Sequence, residues 1–242
     1  MDLKRVVVAL AFVMPIAQAV AAEQIRGAAE AYAAGDYAYA AMQFRERASH
    51  SPSTGVFHNL GNAEWNAGRT GPAILAWERA QWLDPASTNA QANLRFGRFT
   101  AQIEAPRLKW FEVASTWLPV HAWPWIASAS LWLAVSALVI PTVFRWRKRD
   151  WHQAFAAASF AVFLATLPAL LGVHTRSKLG VVLADKTALR LTPTREAQST
   201  VTLRAGESAR VERERGNYVF VRINGDAAGW VERERLGVVA AR

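Results

Sequence analysis

Apolar residues fall into three regimes along this chain. The middle is the simplest. Trp123–Phe144 carries no charged residue, and neither does Ala154–Val173. Each run is about twenty residues long, the length an α-helix needs to cross about 30 Å of hydrocarbon. Between them lies RWRKRDWHQ, where Arg145, Arg147, Lys148 and Arg149 crowd together. Ahead of the runs, apolar residues recur at helical spacing; behind them, they alternate at strand spacing. The pattern predicts a multidomain membrane protein: an export signal over 1–22, helices over 23–104 and a linker over 105–122. A membrane helix over 123–144, a basic loop over 145–152 and a second membrane helix over 153–173 come next. An all-β domain over 178–242 ends the chain.

Two signals fix the expected topology independently. Lys4 and Arg5 precede a short apolar core, Val6–Val13, and small residues at Ala17, Ala19 and Ala21 offer cleavage sites. Cleaved, or kept as an uncleaved anchor, this segment sends the helical region across the bacterial inner membrane. The connector is rich in Arg and Lys, so it belongs in the cytoplasm. Both readings place the soluble segments before and after the hairpin in the periplasm. Trp123, Trp125, Trp146 and Trp151 sit near the helix ends, where indole rings favour the interface. Neither apolar core holds an ionisable residue, which argues for an anchor rather than an ion pathway.

Glu23–Phe99 repeats. Gly35, Ala40, Phe44 and Pro52 recur as Gly68, Ala73, Trp77 and Pro85 with the same internal spacing. The second copy adds Phe57, Leu60 and Gly61 in its first helix and Ala80 before Asp84-Pro85. In the first copy, Ala28 stands where the first-helix Gly belongs and Arg47 where a small residue belongs. The pattern resembles the tetratricopeptide repeat over roughly residues 21–86, at one residue less than its usual period of about 34. Small residues let paired helices approach, the aromatics fill between them, and Pro ends the second helix. Ser87–Ile103 reads as a capping helix, with Ser87 or Thr88 as N-cap and Leu94, Phe96, Phe99 and Ile103 on its apolar face. In the linker, Trp110, Val113, Ala114, Trp117 and Leu118 share a helical face. That face suits either an interfacial helix or packing on the repeats.

From Leu179 to Val239 the runs VVLADKTALRL, STVTLRAGESARVERER, NYVFVRI and GWVERERLGVV read as strands. They are broken at Thr192-Pro193, Ala205-Gly206, Gly216-Asn217 and Asn224-Gly225. The segment resembles bacterial SH3 domains through Ala188-Leu189-Arg190 with Pro193, Leu203 with Gly206, Tyr218–Val221, and Gly229-Trp230-Val231 before Leu236. Thr192 and Thr194 depart from that pattern in the first loop. The resemblance implies a small SH3-like barrel.

Composition adds exclusions more than activities. The net charge of +9 over 242 residues sits mainly in the connector and the last segment, so it calls for no nucleic-acid partner. With no cysteine there is neither a disulfide nor a thiol nucleophile. His50, His58, His121, His152 and His174 lie in no metal-ligand spacing. No P-loop, dinucleotide fingerprint or Gly-x-Ser-x-Gly element is present. Alternating Glu212, Arg213, Glu214 and Arg215, and Glu232 to Arg235, read as a solvated charged surface. No catalytic residue, metal site or cofactor is predicted. Two surfaces remain as partner-binding candidates. One is the concave face of the repeats, with Tyr32, Asn59, Asn62, Glu64, Trp65 and Asn66, where Asn side chains can hold a peptide backbone. The other is the rim of the β domain, with Arg190, Tyr218 and Trp230, although Trp230 fits a core position as well.

The order of signal, two repeats, two membrane helices and an SH3-like segment resembles BatE-type proteins of the Bacteroides aerotolerance operon family. The resemblance rests on arrangement over nearly the whole chain. It implies a non-enzymatic periplasmic scaffold in the inner membrane. Its implied partners are membrane or periplasmic proteins, among them von Willebrand A-domain Bat proteins encoded with a MoxR-type ATPase. Besides membrane lipid, peptidoglycan is the alternative ligand, taken by the SH3-like segment.

Overall fold

The computed structural model describes residues 27–144, 150–224 and 227–240. The expected export signal and Arg145–Arg149 lie outside them. Helix α1 (residues 27–33) pairs with α2 (Tyr37–His50), and α3 (Thr54–Asn66) pairs with α4 (Thr70–Leu83). Helix α5 (Thr88–Ala101) comes next.

The repeat is written into the backbone hydrogen bonds. Gly35 N–H donates to Tyr32 O and Asp36 N–H to Ala31 O; a repeat later, Gly68 donates to Trp65 and Arg69 to Glu64. This is the Schellman closure, and it needs a left-handed residue at its turn. Gly35 and Gly68 supply φ of +83° and +76° without a Cβ penalty. The same closure ends α5, where Gln102 sits at φ +54° and Ile103 N–H reaches Arg98 O. Helix α5 is therefore equivalent to α1 and α3, the first helix of a third unit. Its apolar face differs from expectation: Ala90, Leu94 and Gly97 are buried, whereas Phe96 and Phe99 are 56% and 86% exposed.

The first core joins Ala28, Ala40, Phe44, Phe57, Leu60 and Ala80. Trp77 is clamped from two sides. A Cβ on Gly61 would lie 2.3 Å from its Nε1, and one on Gly97 would lie 2.8 Å from its Cζ3. Helix α4 is buried on nearly every side, from Gly71 through Ala80, because something covers the face turned away from α3.

What covers it is the β domain. Strands β1 (Leu179–Val182), β2 (Thr187–Arg190), β3 (Ser199–Leu203), β4 (Ser208–Arg215), β5 (Tyr218–Ile223), β6 (Ala228–Glu232) and β7 (Leu236–Val238) form one antiparallel sheet, ordered β3-β2-β6-β5-β4-β1-β7. Two expected strands are shorter than their runs. The first breaks at a turn where Lys186 takes φ +55°, and the last is interrupted by a 3-10 turn, Arg233–Arg235. Strand β1 is buried at all four positions. Leu179 and Val181 join Ile74, Leu75, Trp77 and Leu94 of the helices, while Val182 joins Leu189, Leu203, Val221 and Val231 of the sheet. A strand covered on both faces reads as an unbroken apolar run, and the sequence there is Leu-Gly-Val-Val. Contact is close enough to require glycine: a Cβ on Gly71 would lie 2.4 Å from Leu183 O, and one on Gly237 would lie 2.2 Å from Leu75 Cδ2. Arg79 donates to Val238 O at 2.9 Å, Arg204 to Gln102 O at 3.0 Å and Asn224 to Ala105 O at 2.8 Å.

Helices α7 (Ala122–Val143) and α8 (Asp150–Arg176) are long and apolar enough to cross a membrane. Only 17% of each apolar window is buried, whereas the core helix of a soluble protein is mostly buried. Their seam is made of small residues: Ala127, Ser130 and Ala134 from α7, and Ala156, Ser159, Thr166 and Ala169 from α8. Small side chains let the two helices approach closely. The seam hydroxyls of Ser130 and Thr166 return to their own helices, onto Ala127 O and Phe163 O. The second helix is longer than its apolar run, extending to Asp150 at one end and Arg176 at the other. The short helix α6 (Trp110–Ala114) packs against the end of α8.

Candidate functional site

The first helices of the three units share one side of the helical module, and the groove they line has a volume of about 470 Å³. Positions one helical turn apart face it: His58, Asn62 and Trp65-Asn66 from α3, then Asn89, Asn93 and Phe96 from α5, with Tyr32 from α1. Tyr32 and Trp65 hold the same place in successive units, each accepting the glycine N–H of its Schellman closure. Phe96 stands edge-on to Trp65 with ring centroids 5.7 Å apart, so its exposure belongs to the groove wall.

Asn62 is the hub. Its Oδ1 accepts from Trp77 Nε1 at 3.1 Å and from Asn93 Nδ2 at 2.7 Å. Its Nδ2 lies 3.2 Å from His58 Nε2. With both donors assigned to Oδ1, the amide must donate to His58. That fixes Nε2 as the acceptor and leaves the imidazole proton on Nδ1. Burial lowers the His58 pKa below its ordinary value, so the ring is neutral near pH 7. Asn66 Nδ2 donates to Tyr32 Oη and to Asn62 O, both at 2.9 Å. No Asp, Glu, Lys or Arg lines the groove among the described residues. It offers amides, a phenol and aromatic edges to a ligand.

Sequence reasoning placed Tyr32, Asn62, Trp65 and Asn66 here, and the structure brings them together. Asn59 is exposed and lies outside the groove, because one residue past His58 it is turned about 100° from the stripe that His58, Asn62 and Trp65 form. Glu64 also faces elsewhere. It is 1% exposed and pairs with Arg45 and Arg69, tying α3 to α2 and to the following turn. His58, Asn89, Asn93 and Phe96 were missed as site residues. For Asn89, Asn93 and Phe96 the signal was the repeat carried one unit further, onto α5; for His58 it was its place one turn before Asn62 on α3.

The β-domain candidates occupy the outer face of the sheet. Strand alternation turns Val219, Val221 and Val231 inward and Tyr218, Phe220 and Trp230 outward, so Trp230 is half-buried rather than core. It meets Phe220 edge-on at 5.3 Å, and Arg213 lies over the Phe220 ring at 5.1 Å. Arg190 is occupied locally: its guanidinium donates to Arg195 O at 2.7 Å and Ala197 O at 3.1 Å, holding the loop after β2. Cross-strand pairs such as Arg222–Glu212 at 2.7 Å and Arg233–Glu214 at 2.5 Å account for much of the charge alternation.

Compared with known proteins, this chain matches no family model, no curated protein and no solved structure.

Proposed function

We propose that this chain is a membrane-anchored adaptor whose helical groove holds an extended segment of a partner protein. The observation that carries the reading is the groove's chemistry. Four Asn side chains and the rings of Tyr32, Trp65, Trp77 and Phe96 line it without a charge. That lining suits the alternating donors and acceptors of a peptide backbone better than an ionic ligand. Under this reading the helices are tetratricopeptide repeats, the sheet is an SH3-like domain, and both face the periplasm from a hairpin in the bacterial inner membrane. The likeness in arrangement to BatE-type proteins then names the partner class: von Willebrand A-domain membrane proteins, in an aerotolerance or envelope-stress assembly. The test is co-purification of such a protein, encoded beside this one, with the full chain in detergent. Wild type should retain it, and Asn89→Asp with Asn93→Asp, which places charge in a neutral groove, should lose it. Equal recovery contradicts the proposal.

A second reading rests on the outward Phe220–Trp230 pair. Aromatic faces beside Arg213 suit a sugar ring or a peptide stem, so the sheet would hold peptidoglycan. Binding of the full chain to purified sacculi that Trp230→Ala abolishes, with the groove variant still binding, would favour this second reading.

A further inference from the structure

Helix α6 is inside out for a helix in water. Its carboxylate, Glu112, is fully buried, and so is Ser115 just beyond its end. Large apolar residues of α6 and of the turn after it point away from the protein: Trp110 is 71% exposed, and Val113, Trp117 and Leu118 are exposed as well. The buried side is locked. Arg210 from β4 takes both Glu112 oxygens, and Arg176 from the end of α8 donates to Ser115 Oγ at 3.1 Å. Nothing in the described residues covers the other side.

Its depth is also fixed. A Cβ on Gly172 would lie 2.1 Å from Phe111 O, so α6 rests directly on the last apolar turn of α8. Trp123, at the start of α7, donates Nε1–H to Ser115 O at 3.2 Å. Trp125, one turn from the start of α7, is 75% exposed and continues the outward apolar surface. The exposed side of α6 thus adjoins the exposed sides of two membrane-length helices, at the level where their apolar sequence ends.

We propose that the outer face of α6, with Trp125, lies in the headgroup–acyl boundary of the bilayer that the hairpin crosses. There the indoles meet the interface they prefer and the buried Glu112 stays away from it. Through Arg210 and Arg176 this foot sets the sheet and the helical groove at one fixed attitude to the membrane surface. The inference rests on the membrane reading of α7 and α8, and it adds a third contact that neither span supplies.

The native chain has no cysteine, so single nitroxides can be placed without background. The full chain carrying Val113→Cys, Trp117→Cys, Leu133→Cys or Tyr39→Cys is reconstituted into phosphatidylcholine nanodiscs. Collision with oxygen, which concentrates in lipid, is compared with collision with a water-soluble nickel chelate. Leu133 should favour oxygen and Tyr39 the chelate. Val113 and Trp117 should shift toward oxygen, to a level between the two. Labels at 113 and 117 that match Tyr39, with Leu133 in lipid, overturn the proposal and leave the patch open to a protein partner or a second copy. A Leu133 label open to the chelate overturns the membrane reading itself. Since these residues are exposed, labels there leave the fold intact. Quenching of wild-type tryptophan by brominated lipid, reduced in Trp110→Phe with Trp117→Phe, checks the same contact without a label.

Discussion

Arg210 of β4 reaches Glu112 of α6 with two hydrogen bonds, at 2.7 and 3.2 Å, and gives a third to Thr175 O of α8 at 3.0 Å. One guanidinium therefore ties the sheet to α6 and to the end of the membrane-length helix α8. Lys109 N–H adds 2.8 Å to the same carboxylate. Burial raises the Glu112 pKa, but the Arg210 hydrogen bonds and charge, the Lys109 N–H and the Thr175 hydroxyl outweigh it and leave the pKa below its ordinary value.

A carboxylate whose pKa falls on folding stabilises the protein above its unfolded pKa, about 4.3 for glutamate, and ceases to as pH drops through the folded value. Glu112→Gln should cost about 3 kcal/mol near neutrality, the low end for a broken buried pair, because Arg210 keeps some access to water. Thermal unfolding in detergent at stepped pH checks this. The gap between wild type and variant should hold down to pH of about 4.3 and narrow below it.

The clamp on Trp77 predicts an asymmetry between two changes. Trp77→Ala empties the space between Gly61 and Gly97 and should cost about 3–5 kcal/mol. Gly61→Ala pushes a methyl into the indole and should cost about 1–3 kcal/mol. It also displaces the Nε1–H that anchors Asn62, so groove binding should fall further than stability does. Urea unfolding read beside partner co-purification separates the two effects.

The junction of helices and sheet predicts a local opening. Gly71→Val places side-chain atoms where Leu183 O now sits. Amide exchange should rise in Leu179–Val182 and along α4 while α7 and α8 stay protected. Unchanged exchange in β1 would mean that the sheet does not depend on this contact.

His58 makes groove binding sensitive to acid. Its pKa is lowered by burial, so the neutral ring and its acceptor Nε2 persist at neutral pH. Protonation, whose midpoint lies below the free value of about 6.5, removes the acceptor for Asn62. Partner recovery should be full near neutral pH and decline as pH falls below that value. His58→Gln, which keeps an acceptor but does not titrate, should flatten the profile.

Much of this molecule was legible in its sequence. Two uncharged runs gave the membrane-length helices, and Gly35 with Gly68 gave the repeat, because single-residue chemistry dictates both. What stayed hidden depends on contacts between distant segments. Leu-Gly-Val-Val announces a buried strand but not that α4 buries one side of it. Nothing near Glu112 in the sequence says that Arg210, far along the chain, claims it, and this is why the α6 face is apolar outward. The groove was half legible: Tyr32, Asn62, Trp65 and Asn66 come from one full repeat, but Asn89 and Asn93 belong to a unit whose second helix is absent and whose pattern is therefore incomplete. Asn59 failed because spacing alone does not say which face of α3 looks inward.

The arrangement of groove, foot and sheet requires that residues on both sides of the hairpin share one compartment. A membrane-impermeant maleimide applied to intact cells tests this most directly. Single cysteines replacing Tyr39, on α2, and Val201, on β3, should label without lysis, whereas one replacing Trp146 in the connector should label only after the inner membrane is opened. Protection of either exposed site in intact cells, or ready labelling at 146, would contradict the account.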